Sequence, residues 1–248
     1  MFFTVLMCCN RDEGFFFPAI ESVLRQTYPH FELIIVLNNC TDELYDRVFA
    51  LDDSRIVLLR THIGQLCFNL NFGLNLSKGE YIVRFDADDL CHPERLEQTK
   101  LLISEHGPVD VIAGSCRLIS KDGNFLGFVD VAKQKNWRAA LKFKNPFVHP
   151  AIAIRRDRLL EIRGYSGGFQ SEDYDLWLRF SDSPTVSVLT TSFPMIDYRI
   201  SDFQSRGSRL AYAEVSSYLF RTFLLRPSFL GIISVFASVV KFFVRARK

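Results

Sequence analysis

Residues 83–98, VRFDADDLCHPERLEQ, end an apolar run with three carboxylates in four positions: Asp86, Asp88 and Asp89. The residues from Glu80 to Phe85 have the β-branched and aromatic character of a strand. Carboxylates this close raise one another's pKa unless a cation neutralises them. Two readings account for the cluster. It is either a solvated turn whose aspartates cap a helix starting near Pro93, or a ligand crevice at the carboxyl end of a buried strand, where a hard cation and phosphates complete the oxygen shell. Its neighbours in sequence separate the two.

Outward from this stretch, strand and helix signals alternate. Phe3–Cys9, Glu32–Leu37 and Arg55–Arg60 read as strands, and Pro18–Gln26, Asp42–Leu51 and Leu66–Leu76 have helical spacing. This cadence with short turns predicts right-handed βαβ units and an α/β fold with a mostly parallel sheet flanked by helices. Ligands bind at the carboxyl edge of such sheets, which favours the crevice reading. Beyond residue 110 the pattern loosens. Asp110–Ser120 and Asn124–Val131 flank the turn KDGN as a hairpin, and Ala151–Arg155, Val186–Leu189 and Ile196–Ile200 read as further strands.

The chain of 248 residues is long enough to bury a core without covalent staples. A net charge of +2 with 23% charged residues gives no polyanion-binding field, so nucleic acid is not expected as a partner. Six cysteines without C-x-x-C spacing read as reduced, buried thiols of a cytosolic protein. The strand-like start without a basic n-region predicts no signal peptide.

A second acidic pair, Glu172 and Asp173, stands in GGFQSEDYDLWLRF (residues 167–180) at the predicted start of a helix behind two glycines. Acids in a first helical turn complement the macrodipole. A carboxylate beside a Gly loop also suits a general base.

Three blocks in order resemble the family 2 inverting glycosyltransferases, which have the GT-A fold. They are the opening CCNRDE with AIESVLRQTYPHFELIIV, then LNLSKGEYIVRFDADDLCHPERLEQ with its D-x-D segment, then NPFVHPAIAIRRDRLLEIRGYSGGFQSEDYDLWLRF with its E-D motif. The resemblance runs from Phe3 to Arg206 and implies a catalytic domain over residues 1–206. It implies that Asp88 coordinates Mn²⁺ or Mg²⁺ bridging the phosphates of a nucleotide-diphosphate sugar, with Asp86 near the ribose or sugar. Asp173 becomes the base that deprotonates an acceptor hydroxyl. Glu172 and His149 lie on the acceptor side, with capping and a structural histidine as their alternatives. Asn10, Asn38 and Asp42 are candidates for the nucleotide pocket. Glycan or lipid-linked acceptors of cell-surface polysaccharide assembly are the implied substrates.

The chain departs from the family pattern at three positions. Cys9 stands where an aromatic often stacks on the base, and Asn38 where an Asp often reads it. Ser201 replaces a histidine that is sometimes a metal ligand, so the metal rests on Asp88 and the diphosphate or recruits Asp202.

A helical tail is expected over residues 207–248, which differ in composition from the rest. PSFLGIISVFASVV (residues 227–240) carries no charge and KFFVRARK follows. A helix of this size rises about 21 Å, short of a ~30 Å hydrocarbon core. On a helical projection Gly231, Ser234, Ser238, Lys241 and Arg245 share a narrow face, and apolar residues fill the rest. Such a helix suits the membrane interface with its basic end against anionic headgroups, at the cytoplasmic side of an inner membrane. Burial against the catalytic domain, or self-association with a second subunit, is the alternative. Two other functions fit parts of the pattern. A haloacid-dehalogenase-like phosphatase also uses D-x-D, but expects Thr or Val where Asp89 stands. A non-catalytic GT-A-fold scaffold is compatible with Cys9, Asn38 and Ser201, and disfavoured by intact Asp86, Asp88 and Asp173.

Overall fold

Near-continuous apolar runs form one half of a single sheet. The computed structural model describes residues 1–134, 136–200 and 208–245. In it, β1 (Phe3–Cys9), β2 (Phe31–Asn38), β3 (Ile56–Thr61) and β4 (Tyr81–Phe85) pair in parallel in the order β3-β2-β1-β4. Strands covered on both faces need not alternate, which is why β2 reads LIIVL (residues 33–37) without a break. Odd-numbered residues of β1 and β2 (Val5, Met7, Leu33, Ile35) pack with α1 (Phe16–Leu24) and α2 (Asp42–Phe49) through Ile20, Val23, Leu44 and Val48. The opposite face carries α3 (Leu66–Leu76), whose Gly73 lies so close that a Cβ would stand 2.3 Å from Leu6 Cδ1. That crossover reverses the strand order and puts β4 on the far side of β1. The carboxyl ends of β1 and β4 therefore flank the topological switch point, where α/β sheets bind ligands.

The rest of the sheet is mixed. The two-residue β5 (Leu90–Cys91) follows the acidic turn and leads to α4 (Arg95–His106). The pair β6 (Val111–Ile119) and β7 (Phe125–Val129) forms the expected hairpin. After the one-turn helix α5 (Trp137–Leu141), β8 (Ile152–Arg155) runs antiparallel to both β4 and β6 and joins the halves, and α6 (Arg156–Glu161) follows. Beyond α7 (Glu172–Ser181), residues expected to form two strands make one, β9 (Val188–Arg199), parallel to β6 with register shifts around Ser115. The shifts and Pro194 break the alternation that a single strand would show in sequence. All six cysteines are free thiols, and none is exposed.

The helices α8 (Arg209–Leu225) and α9 (Phe229–Arg245) end the described chain. The chain divides into two compact units: the sheet with α1–α4 and α6, and a helical unit of Gln134–Pro146, Tyr165–Val186 and the two C-terminal helices. Within the helical unit α9 packs on α8 with its small polar face inward. Ser234 and Ser238 are 3% and 5% exposed, Gly231 lies against Phe223, and Lys241 donates to the Phe143 carbonyl. The apolar side faces outward, with Phe236 70% and Phe243 76% exposed. Among the described residues no helix is long and apolar enough to cross a membrane.

Candidate active site

Within the sheet unit, parallel register fixes which residues meet at the switch point. Cys9 pairs with Leu37, and Met7 with Phe85, so Asn10, Asn38 and Asp86 emerge at one edge of three adjacent strands. Asn10 is exposed, and Asn38 is half-buried as the last residue of β2. Cys9 is turned into the core; burial pushes its thiol up to about 12, and its Sγ bonds the Arg11 carbonyl at 3.1 Å. Asp42 lies in the first turn of α2, exposed and paired with Arg60 at 2.6 Å.

Asp86, Asp88 and Asp89 fill the turn between β4 and β5, each offering an oxygen within 4.8 Å of the others. Three arginines surround them. Arg84, buried in mid-strand, reaches forward to Asp86 and the Phe85 carbonyl. Arg95, also buried, donates to the carbonyls of Arg84 and Ile152 at 2.9 and 3.1 Å. Arg199, at the end of β9, gives its backbone N–H to Asp89 Oδ1 at 2.8 Å. Its guanidinium bonds the carbonyls of Asp88, Ser120 and Lys121 and lies over the Phe15 ring.

These cations offset the repulsion unevenly. Burial, then the Asp86 charge, pushes the Asp88 carboxyl up to about 6. Asp89, 1% exposed, is raised well above the ordinary range by burial and by both neighbouring acids. Its Oδ2 has no hydrogen-bond partner among the described residues. A buried acceptor without a donor, beside a half-buried carboxyl poised near neutrality, fits a divalent cation with oxygen ligands. Sequence reading missed all three arginines. Only Arg84 left a signal, a charge in the middle of the strand YIVRF.

His149 is buried in a one-turn 3-10 helix, His149–Ala151, before β8. Ser201 and Asp202 lie outside the described residues.

In the helical unit Glu172 and Asp173 open α7, as the sequence predicted, with Glu172 buried and Asp173 half-buried. Asp173 accepts a bond from the Asn145 side-chain amide and, at 2.7 Å, from the Tyr174 N–H. Tyr174 anchors the same turn by donating to the Leu141 carbonyl. Asp175, 1% exposed, accepts from Ser166 at 2.6 Å and from Arg179 at 2.7 Å, and also pairs with Arg221 of α8. Burial raises this carboxyl, but the bonds from Ser166 and Arg221 and the Arg179 charge outweigh it and hold it below the ordinary range. Neither Asn145 nor Asp175 was singled out from sequence.

A family model for Glycosyl transferase family 2 matches residues 4–163. An Escherichia coli protein named O-antigen biosynthesis glycosyltransferase WbnJ is 34% identical over 235 residues, covering 93% of this chain and 92% of the relative. A second E. coli relative, UDP-Gal:alpha-D-GlcNAc-diphosphoundecaprenol beta-1,3-galactosyltransferase, is 28% identical over 71% of this chain and 66% of its own length. Among solved structures, S. aureus TarS 1-349 in complex with UDP superposes with a TM-score of 0.71 at 17% identity, covering 98% of this chain and 72% of that one. The mannosyltransferase PcManGT of Pyrobaculum calidifontis, in complex with GDP-Man and Mn²⁺, gives 0.65 at 14% identity, over 99% and 76%. The fold is GT-A, and the chain belongs to glycosyl transferase family 2, a family of transferase enzymes.

Proposed function

We propose that this family 2 glycosyltransferase moves a sugar from a nucleotide-diphosphate donor to a hydroxyl of a glycan or lipid-linked acceptor, with inversion, in cell-surface polysaccharide assembly. The observation that carries the reading is the acidic turn at the switch point, with Asp88 near neutrality and a buried Asp89 oxygen that has no donor among the described residues. Asp88 is the metal ligand, and bound Mn²⁺ or Mg²⁺ supplies charge stabilisation of the departing diphosphate. Asn10, Asn38, Asp42 and Asp86 belong to the donor side, and His149 and Glu172 to the acceptor side. Asp173 takes the proton of the acceptor hydroxyl as that oxygen bonds to the anomeric carbon. The bond from that carbon to the diphosphate oxygen breaks on the opposite face, and the nucleoside diphosphate leaves with the electron pair. One displacement inverts the centre.

The polysaccharide setting draws on the E. coli relative named for O-antigen biosynthesis, and the lipid-linked acceptor on the one named for a diphosphoundecaprenol substrate. In this reading residues 1–206 are catalytic, and 207–248 hold the enzyme at the cytoplasmic face of the inner membrane. The outward apolar side of α9 and the basic residues near it support that role. Calorimetric titration of UDP and GDP, each with and without Mn²⁺, tests the donor side. Tighter binding with Mn²⁺, lost in Asp88→Ala, is expected; nucleotide binding indifferent to Mn²⁺ in the wild-type protein would sink the reading.

A further inference from the structure

The loop that precedes Asp173 is held by α8, and Glu214 accepts two of the bonds that hold it. Gly167–Gln170 precede the N-cap Ser171 of α7 and lie outside the helix, so their backbone N–H groups need acceptors from elsewhere. Glu214, in the middle of α8, fills that need with both carboxylate oxygens: Oε1 accepts from Phe169 N at 2.7 Å and Oε2 from Gln170 N at 3.1 Å. It is the only acid in residues 207–248. Bonds from backbone N–H to an ionised carboxylate are stronger than those between neutral groups.

Other contacts fit the loop closely to the same helix. Gly168 adopts a left-handed φ of +85°, and a Cβ there would stand 2.4 Å from the Tyr218 hydroxyl oxygen. Ser171 Oγ donates to the Ala211 carbonyl at 3.2 Å, and Ser208 bonds the Gln170 side chain. Beyond Asp173, Arg221 holds Asp175 from the same helix. Asp173 thus begins its helical turn between attachments to α8 on both sides, and Glu214 accepts from two backbone N–H groups of the preceding loop.

We propose that Glu214 is a positioning residue for the glycosyl transfer: by clamping the N–H groups of Phe169 and Gln170 it sets where the Asp173 carboxylate stands toward the acceptor hydroxyl. The proposal rests on Asp173 being the base. Glu214 is not among the residues assigned to the donor side, so its loss acts on turnover and leaves donor affinity alone. A base moved by a fraction of an ångström to an ångström loses roughly tenfold to a hundredfold in rate.

The test uses the full chain with UDP-galactose, UDP-glucose, UDP-N-acetylglucosamine and GDP-mannose as donor probes. Nucleoside diphosphate release is followed on whichever donors the wild-type enzyme cleaves, and amide hydrogen exchange is read on the peptide spanning residues 165–172. In Glu214→Ala the peptide exchanges faster, kcat falls about tenfold or more, and donor KM stays within about twofold. Glu214→Gln keeps one accepting oxygen and recovers part of both effects. Gly168→Ala, whose Cβ would press on the Tyr218 hydroxyl at 2.4 Å and on Glu214 Oε2 at 3.1 Å, disturbs the same clamp from the loop side, reproduces the kcat loss and serves if Glu214→Ala does not fold. Unchanged exchange in Glu214→Ala, or faster exchange with kcat within about twofold of wild type, overturns the clamp. Asp173→Asn is measured alongside. If it turns over normally the base assignment fails and the proposal with it, whereas a dead Asp173→Asn beside a fully active Glu214→Ala removes the clamp alone.

Discussion

Replacing Asp88 with Asn should make the metal-free protein more stable, and increasingly so as the pH rises. The carboxyl stands at about 6 in the fold against an ordinary 3.8. Because the folded value lies above the unfolded one, the folded chain holds the proton longer than the unfolded chain does. Stability therefore falls as pH climbs from about 4 to about 6, and the full penalty persists above that. At ~1.4 kcal/mol per tenfold in ionisation constant the penalty is roughly 3 kcal/mol; solvent screening of a half-buried group brings this to about 1–2 kcal/mol. Asn fills the same volume and cannot ionise. Urea unfolding in EDTA should give Asp88→Asn an advantage of about 1–2 kcal/mol at pH 8 and about half that at pH 5. Adding Mn²⁺ with UDP should reverse the order, since ligand that binds only the folded state stabilises the wild type by mass action. Equal stabilities at pH 8 in EDTA, or an advantage that does not change between pH 5 and pH 8, would refute the electrostatic account of the acidic turn.

Asp173→Asn should lower transfer by about a thousandfold, within the range a positioned base contributes, while nucleotide titration with Mn²⁺ stays unchanged; wild-type turnover would remove Asp173 as base. Asp175→Ala strands Arg179 and Arg221 around a buried site and should cost about 2–3 kcal/mol in urea unfolding, and a loss below about 0.5 kcal/mol would show the cluster to be ornamental. The double replacement Phe236→Gln with Phe243→Gln removes only exposed rings, so the melting temperature should hold. Co-sedimentation with phosphatidylglycerol vesicles should drop about tenfold or more, and unchanged sedimentation would leave α9 to a protein partner.

The parallel half of the sheet was legible because its strands are buried on both faces and its helices keep their period; Leu66–Leu76 was placed to the residue. The acidic turn and the start of α7 were legible because charge following an apolar run is a local signal. What surrounds them was not, for the same reason inverted. Arg95 and Arg199 act through carbonyls that lie 11 to 111 residues away in sequence, and no local pattern announces such partners. The tail over residues 207–248 was expected to be helical, but α8 was not distinguished within it as a helix of its own. Its mixed polarity follows from its task, with Glu214 and Arg221 turned to the α7 segment while Phe220, Leu224 and Leu225 face out. In α9 the projection gave the two faces correctly, but not that the serine side would be the buried one.

Arg199 also bears on how the protein is made. Its backbone and guanidinium hold Asp88, Asp89, Ser120, Lys121 and the Phe15 ring together. A ribosome delivers Phe15 and the acidic turn long before this arginine leaves the exit tunnel. Until it arrives, the early βαβ units can fold, but the turn between β4 and β5 lacks the donor to Asp89 that fixes its shape. The acidic turn of the nascent chain is therefore unset while the early units fold, and it takes its final shape only once Arg199 has emerged.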